Sequence, residues 1–263
     1  QINEEMNYKT LDPEFYNLDW MRFIPDETPV SAISIPGTHE SLSLHGGPLD
    51  KCQVWTLKDQ LNVGIRYFEM HAGIWLPTQN NIHIWHRHWM FGQKFLKVLT
   101  IILDFLSAHS SETVLLKVRP HYFNVYKLKV EKLMKKLIKK FQNKIITTWS
   151  VPNMQQARGR IVFLQSKTFN AGTKNHKSYF FEYHKLNNVE NKIKDIKSHL
   201  CNHYIVRTTC AASRLENPKT LAKKVNKQLH TFLVQHQKSS SNRGCLGVFS
   251  MDFPSADLIQ IIT

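Results

Sequence analysis

The chain has 263 residues, 42% of them hydrophobic and 11% aromatic, which is enough to bury a sizeable core and excludes disorder as its default state. Lys and Arg number 35 against 20 Asp and Glu, a formal charge of +15 that draws the protein to anionic surfaces such as acidic lipid, glycosaminoglycan or nucleic acid. No apolar run approaches the roughly 20 residues that a bilayer-spanning helix needs, and Cys52, Cys201, Cys210 and Cys245 form no CxxC pair, which removes zinc-ribbon and thioredoxin-like readings.

Residues 1–28 read as an irregular N-terminal lead-in punctuated by Pro13 and Pro25, with Trp20 and Phe23 pinned against a body spanning residues 29–263. Ser31 to Ile35 reads as a short buried strand, broken by Pro36 and Gly37, after which Thr38, His39 and Glu40 emerge. Trp55 to Val63 has helical spacing and is stopped by Gly64. Strand-like runs then follow at Ile65 to His71, Ile82 to His86, Thr113 to Arg119, Arg160 to Gln165, Ser178 to Tyr183, His203 to Thr209 and Leu246 to Asp252. Helical patterns lie between several of them, at Lys94 to His109, Val125 to Lys144, Val189 to Leu200 and Pro218 to Gln237. Eight strands alternating with helices over this length predict a single-domain α/β protein with a closed, mostly parallel barrel.

Within Val125 to Lys144, Val130, Leu133, Leu137, Ile138 and Phe141 form an apolar stripe. Lys127, Lys132, Lys135, Lys136, Lys139 and Lys140 fill much of the remainder, either as a solvated outer face or as a surface for anionic membrane. The even cysteine count allows two disulfides, and the start at Gln1 without a signal-like apolar segment suits a processed, secreted protein.

Enzymes built on such barrels keep their chemistry at the carboxyl ends of the strands. Read in order, those ends carry His39 and Glu40, then Glu69 and His71, then His86 and Arg87, then Arg119, and finally Asp252. Alternation puts Glu69 and His71 on one face. It also puts His86 on the face of Ile82 and Ile84, which could point into the barrel, and His83 beneath an outer helix. Two histidines with an acid supply general acid and base chemistry near neutral pH, and nearby cations favour a phosphate, so phosphodiester cleavage is indicated. Glu69, His71, His86 and His88 also have metal-donor chemistry, although no spacing specifies a metal. Trp75, Trp85, Trp89, Met90 and Phe91 lie in or beside the same loops. If Trp75, Trp89 and Phe91 are exposed, they form the aromatic fringe of an interfacial enzyme.

The sequence resembles the phosphatidylinositol-specific phospholipase C X-domain family, especially its small single-domain members. The resemblance is carried by IPGTHES (Ile35 to Ser41), DQLNVGIRYFEMH (Asp59 to His71), IHIWH (Ile82 to His86), FLSAHSSETVLLKV (Phe105 to Val118), ARGRIVFL (Ala157 to Leu164) and MDF (Met251 to Phe253). It implies a distorted eight-stranded (βα)8 TIM-type barrel and cleavage of the glycerophosphate bond through a cyclic inositol phosphate. On this resemblance His39 is the general base for the inositol 2-hydroxyl, Asp252 orients it, and His86 is the general acid for the diacylglycerol oxygen. Arg119 stands where metal-independent members carry a lysine and would hold substrate or phosphate.

Glu40 replaces the usual Asp, and His71 replaces an Arg that stabilises phosphate charge, a loss typically worth about 10²–10³ in rate. Arg87 replaces a Gly and either crowds the pocket or supplies the missing cation. Of the ligand set of calcium-dependent members, only Glu69 is retained, so no calcium and no other cofactor is expected, with a histidine-bound metal left open. The sequence thus predicts a monomeric, secreted phosphoric diester hydrolase acting on inositol phospholipid at an anionic membrane surface, with Glu69, Arg87 and Arg119 binding substrate. The alternative is a catalytically impaired member that persists as a cationic membrane- or glycan-binding protein. No nucleic-acid recognition element accompanies the charge.

Overall fold

The computed structural model describes residues 12–38, 55–86, 90–120, 126–148, 150–164, 180–182, 205–207 and 248–251, together with 227, 230, 231, 259, 260, 262 and 263. For Ser31, His86, Met90, Phe91, Pro120 and the last three strands it describes the backbone alone. The four cysteines and the predicted helix Val189 to Leu200 lie outside these residues, and only 227, 230 and 231 of Pro218 to Gln237 fall within them, all helical.

Strand β1 (Ile35–Thr38) is followed by helix α1 (Leu57–Val63). Thr56 caps that helix by accepting from the Asp59 amide, and Gly64 ends it in the left-handed region at φ 114°, which a residue with a Cβ would occupy only under strain. Strand β2 (Tyr67–Gly73) comes next, then β3 (His83–His86), β4 (Met90–Lys94) and α2 (Phe95–Ala108). In α2 the positions Phe95, Val98, Leu99, Ile102 and Leu106 recur at helical spacing and are buried together. Strand β5 (Val114–Pro120), helix α3 (Lys127–Lys140), β6 (Ile145–Ile146), α4 (Met154–Ala157), β7 (Ile161–Leu164), β8 (Phe180–Glu182), β9 (Ile205–Arg207) and β10 (Val248–Met251) complete the described elements.

The strand order β6-β7-β5-β2-β1-β10-β9-β8 is parallel at every described pairing. Apart from the short β6, strand number rises from β1 through β2 and β5 to β7 on one side and falls from β10 through β9 to β8 on the other, so successive strands follow one another around a ring, as in a singly wound barrel. The two faces of the sheet bear this out. Phe68, Met70, Ala72, Leu116, Val118 and Phe163 pack with α1, α2 and α3 on the outside. Ile35, Tyr67, Leu115, Val162 and Leu164 meet one another and residues of α4 on the inside. Among the described residues the two ends of the order, β6 and β8, are not paired with each other.

Each predicted strand has a counterpart, but the first is displaced: Val30–Ala32 is a 3-10 turn and β1 runs from Ile35 through Pro36 and Gly37 to Thr38. The strand at Ile82 to His86 differs in direction. It forms β3, antiparallel to both β2 and β4, and is not a barrel stave. Too few residues separate Gly73 from His83 for a crossover, which takes roughly a dozen or more, so the chain can only return alongside the strand it has left. The short β6 stands in the parallel run instead.

Leu18, Trp20 and Met21 of the lead-in meet the residues just before β2 and β5, whereas Phe23, expected to be pinned there too, is 78% exposed. Arg66, fully buried just before β2, donates from Nε to Glu112 Oε1 at 3.0 Å and from Nη1 to the carbonyls of Leu61 (2.7 Å) and Ile65 (2.9 Å). Its Nη2 reaches the Leu18 carbonyl at 2.8 Å. Glu112 in turn accepts from the Met21 amide (3.2 Å) and the Ser111 hydroxyl (2.7 Å), while Trp20 Nε1 donates to the Gly64 carbonyl at 3.0 Å. Burial pulls the Arg66 pKa down to about 10, with Glu112 and then Asp19 acting against that fall, so the guanidinium stays charged at neutral pH.

Candidate active site

Alternation along β2 decides what enters the barrel. Phe68, Met70 and Ala72 belong to the outer core, so Tyr67, Glu69 and His71 face inward. The same rule along β5 puts Leu116 and Val118 outside and Leu115, Lys117 and Arg119 inside. Since β2 and β5 pair in register, Tyr67 stands beside Leu115, Glu69 beside Lys117 and His71 beside Arg119. The interior therefore changes character within a few residues, from an apolar layer to a layer of ionisable groups.

Glu69, His71 and Lys117 are buried, whereas the Arg119 side chain keeps 21% of its surface exposed at the mouth. Arg119 Nε approaches Glu69 Oε1 at 3.5 Å across the diagonal of the two register pairs, and the Tyr67 hydroxyl donates to Glu69 Oε2 at 3.4 Å. The described part of this layer thus brings a lysine, an arginine and a histidine beside one carboxylate. The one carboxylate of this layer among the described residues, Glu69, is opposed by Arg119. Among the described residues no group of three His, Cys, Asp or Glu side chains comes together.

Of the expected site residues, Glu69, His71 and Arg119 are thus brought into one cluster. His39, Glu40, Arg87 and Asp252 lie outside the described residues, as do His88 and Trp89, and His86 is described only as the last backbone position of β3. The residues just before two of them are described: Thr38 and Met251 are register partners at the ends of β1 and β10. Thr38 is buried and its hydroxyl donates to Gln60 Oε1 at 2.8 Å, while Gln60 Nε2 donates to the Trp55 carbonyl at 2.9 Å, so α1 anchors the end of β1.

Lys117 was not among the sequence candidates. It lies two residues inside the strand end, where only period two from Arg119 points to it. Strand β3 also departs from expectation: Ile82 and Ile84 join the outer core with Phe95 and Val98, not the barrel interior. Alternation therefore gives no ground for turning His86 inward. His83, expected beneath a helix, is half-buried with its ring 5.3 Å from Trp75, and Trp75 meets buried Trp85 edge-on at 6.4 Å. Of the predicted aromatic fringe, Trp75 is exposed, and the side chains of Trp89 and Phe91 lie outside the described residues.

The family model described as phosphatidylinositol-specific phospholipase C, X domain, matches residues 27–167, which include Glu69, His71, Lys117 and Arg119. The 1-phosphatidylinositol phosphodiesterase of Listeria monocytogenes is 26% identical, the alignment covering 92% of this chain and 83% of the relative. PI-PLC X domain-containing protein 2 of Mus musculus is 28% identical over 54% of this chain and 50% of its own. Among solved structures, the phosphatidylinositol-specific phospholipase C from Listeria monocytogenes superposes with a TM-score of 0.80 at 23% identity, covering 94% of this chain and 97% of that one. A Staphylococcus aureus phosphatidylinositol-specific phospholipase C gives 0.75 at 16% identity, covering 95% and 99%. The fold is accordingly a TIM-type α/β barrel, with the β3–β4 hairpin as an addition to it.

Proposed function

Because the chain belongs to the phosphatidylinositol-specific phospholipase C X-domain family, we propose that it is a metal-independent phosphoric diester hydrolase that cleaves phosphatidylinositol-type lipids at a membrane surface. The observation that carries this is the inward-facing block of Glu69, Lys117, His71 and Arg119 on two strands in register. A phosphodiester that gains negative charge on its non-bridging oxygens as it is attacked needs fixed cations aimed at it, and Lys117 and Arg119 provide two. In this reading they share the work of the arginine that metal-independent relatives carry at the position of His71, and Glu69 orients Arg119.

The proton transfers fall to His39 and His86. His39 takes the proton of the inositol 2-hydroxyl as its oxygen attacks phosphorus. His86 gives a proton to the glycerol oxygen as the phosphorus–oxygen bond breaks, releasing diacylglycerol and a cyclic inositol phosphate. Asp252 orients His39, Glu40 and His71 support the charge of the site, and Arg87 adds a further cation to the substrate. Supporting this assignment, the residues immediately preceding His39 and Asp252 are partners across β1 and β10, and the first is locked to α1 through Gln60. We place the protein outside the cell and acting as a monomer.

Phosphorus NMR on phosphatidylinositol vesicles, with and without EDTA, tests the assignment. A cyclic inositol phosphate signal that EDTA leaves unchanged is the expected result, and replacing His39 by Ala abolishes it while vesicle binding persists. Loss of the signal in EDTA would overturn the metal-independent mechanism. One observation favours a second reading: His71 stands in register with Arg119 where the active relatives have an arginine. Vesicle binding without any product would establish that reading, a catalytically impaired cationic lipid- or glycan-binding barrel.

A further inference from the structure

Helix α3 is amphipathic in an unusual way. Its inward stripe, Val130, Met134, Leu137 and Phe141, packs on the outer core. The outward positions Lys132, Lys135, Lys136 and Lys139 follow one another down a single face, with Lys127 and Lys140 also exposed. At the head of that face stands Leu128, 82% exposed. An exposed leucine in a lysine row contributes nothing to solubility and little to the helix.

The first turn of α3 also sits beside the mouth of the barrel. Lys129 Nζ donates to the Pro77 carbonyl, tying the helix to the segment between β2 and β3. That segment begins where β2 leaves the active layer, and it exposes Leu76 (49%) and Trp75 (36%). Three apolar side chains are thus gathered at one edge of the rim, with a row of ammonium groups leading away from it.

We propose that this edge, Leu128 with Leu76 and Trp75 backed by Lys127, Lys132, Lys135 and Lys136, is where the protein docks on an anionic lipid bilayer. The proposal deepens the phospholipid reading above and rests on it for the choice of a bilayer. A sulfated glycan or a nucleic acid would use the lysines equally well, but neither offers anything for Leu128 and Leu76 to enter, whereas a bilayer offers acyl chains beneath its charged surface. Apolar groups at the head of the helix alone make α3 dock end-on. At about 1.5 Å per residue, Lys139 lies roughly 16 Å further along the axis than Leu128, beyond a Debye length of about 8 Å. Lys132 lies about 6 Å along and Lys135 and Lys136 about 10–12 Å, so Lys127 and Lys132 do most of the electrostatic work, Lys135 and Lys136 add a screened share, and the mouth of the barrel is turned toward the lipid.

The test is sedimentation of the full chain with phosphatidylcholine vesicles, with and without phosphatidylserine, alongside turnover of a short-chain, monomeric phosphatidylinositol. Each lysine near an anionic surface is worth roughly fivefold in partitioning. The triple variant Lys132→Glu, Lys135→Glu, Lys136→Glu, in which screening attenuates the last two, is expected to lose about tenfold or more of its binding to phosphatidylserine vesicles while turning over the monomeric substrate as before. Leu128→Ser with Leu76→Ser is expected to weaken binding several-fold to vesicles of either composition. Vesicle binding unchanged in both variants would overturn the docking surface. So would loss of heparin retention in the triple variant with vesicle binding intact, because the row would then serve a polyanionic glycan. Vesicle binding that depends on the row, in a protein that turns over neither substrate, would uphold the surface and sink the enzymatic reading.

Discussion

The same two strands carry a charge cluster at each end, and the two clusters are built on opposite principles. Below β2 and β5, Arg66 and Glu112 are buried and matched one to one. Backbone carbonyls take up the guanidinium, while a backbone amide and a serine hydroxyl take up the carboxylate. Near their upper ends, Lys117, Arg119 and His71 surround a single described carboxylate, and Arg119 reaches solvent. The first arrangement is self-contained and holds the lead-in to the barrel. The second opens to solvent through Arg119, and under the proposed function it receives the phosphate.

The contrast can be broken at either end. Arg66→Met strips Glu112 of its partner inside the protein and is expected to cost about 3–5 kcal/mol of stability, read as a large fall in the denaturation midpoint. Lys117→Met at the other end should do the reverse. The expected outcome is a melting temperature within a few degrees of the parent and a kcat/KM on phosphatidylinositol lowered by about 10²–10³, the usual effect of removing a group that stabilises transition-state charge. If Lys117→Met instead unfolds the protein, the upper cluster is structural too, and the distinction drawn above fails.

Smaller changes sharpen the same contrast. Thr38→Val removes the hydroxyl that holds the end of β1 to Gln60 and should cost about 1–3 kcal/mol, measured by chemical denaturation. His71→Arg restores the cation carried by metal-independent relatives. With Lys117 and Arg119 already supplying charge, the expected gain in turnover is less than about tenfold, far short of what the loss of such a group typically costs. A gain nearer 10² would assign the charge deficit to His71 and leave Lys117 with a minor part.

Much of this was legible from residue patterns. The alternation of Tyr67, Glu69 and His71 with Phe68 and Met70 fixes both strand and facing, and Thr56 and Gly64 bracket α1 by capping chemistry. The antiparallel course of Ile82 to His86 was missed because β propensity carries no direction; only the short connection after Gly73 does. The Arg66–Glu112 pair joins residues far apart in the chain, and nothing local in either residue announces the other. Lys117 looked like one polar residue in an apolar run, and its meaning depended on the register of β5 against β2, which only pairing reveals.

Strand β2 also changes partners partway along its length. On the edge away from β5, Tyr67 and Phe68 pair with β1, whereas His71, Ala72 and Gly73 pair with β3. The barrel wall therefore forks above Phe68, one branch continuing as β1 and the other as the hairpin. All of Tyr67 to Ala72 stays joined to β5 on the opposite edge. Depth of the mouth and chemistry of the floor are thus governed from two independent sides of one strand. Residues 74–82 can therefore reshape the opening while the Glu69–Lys117 and His71–Arg119 pairs keep their hold on β5, and because the same segment leads into β3, such changes also shift the strand that ends at His86.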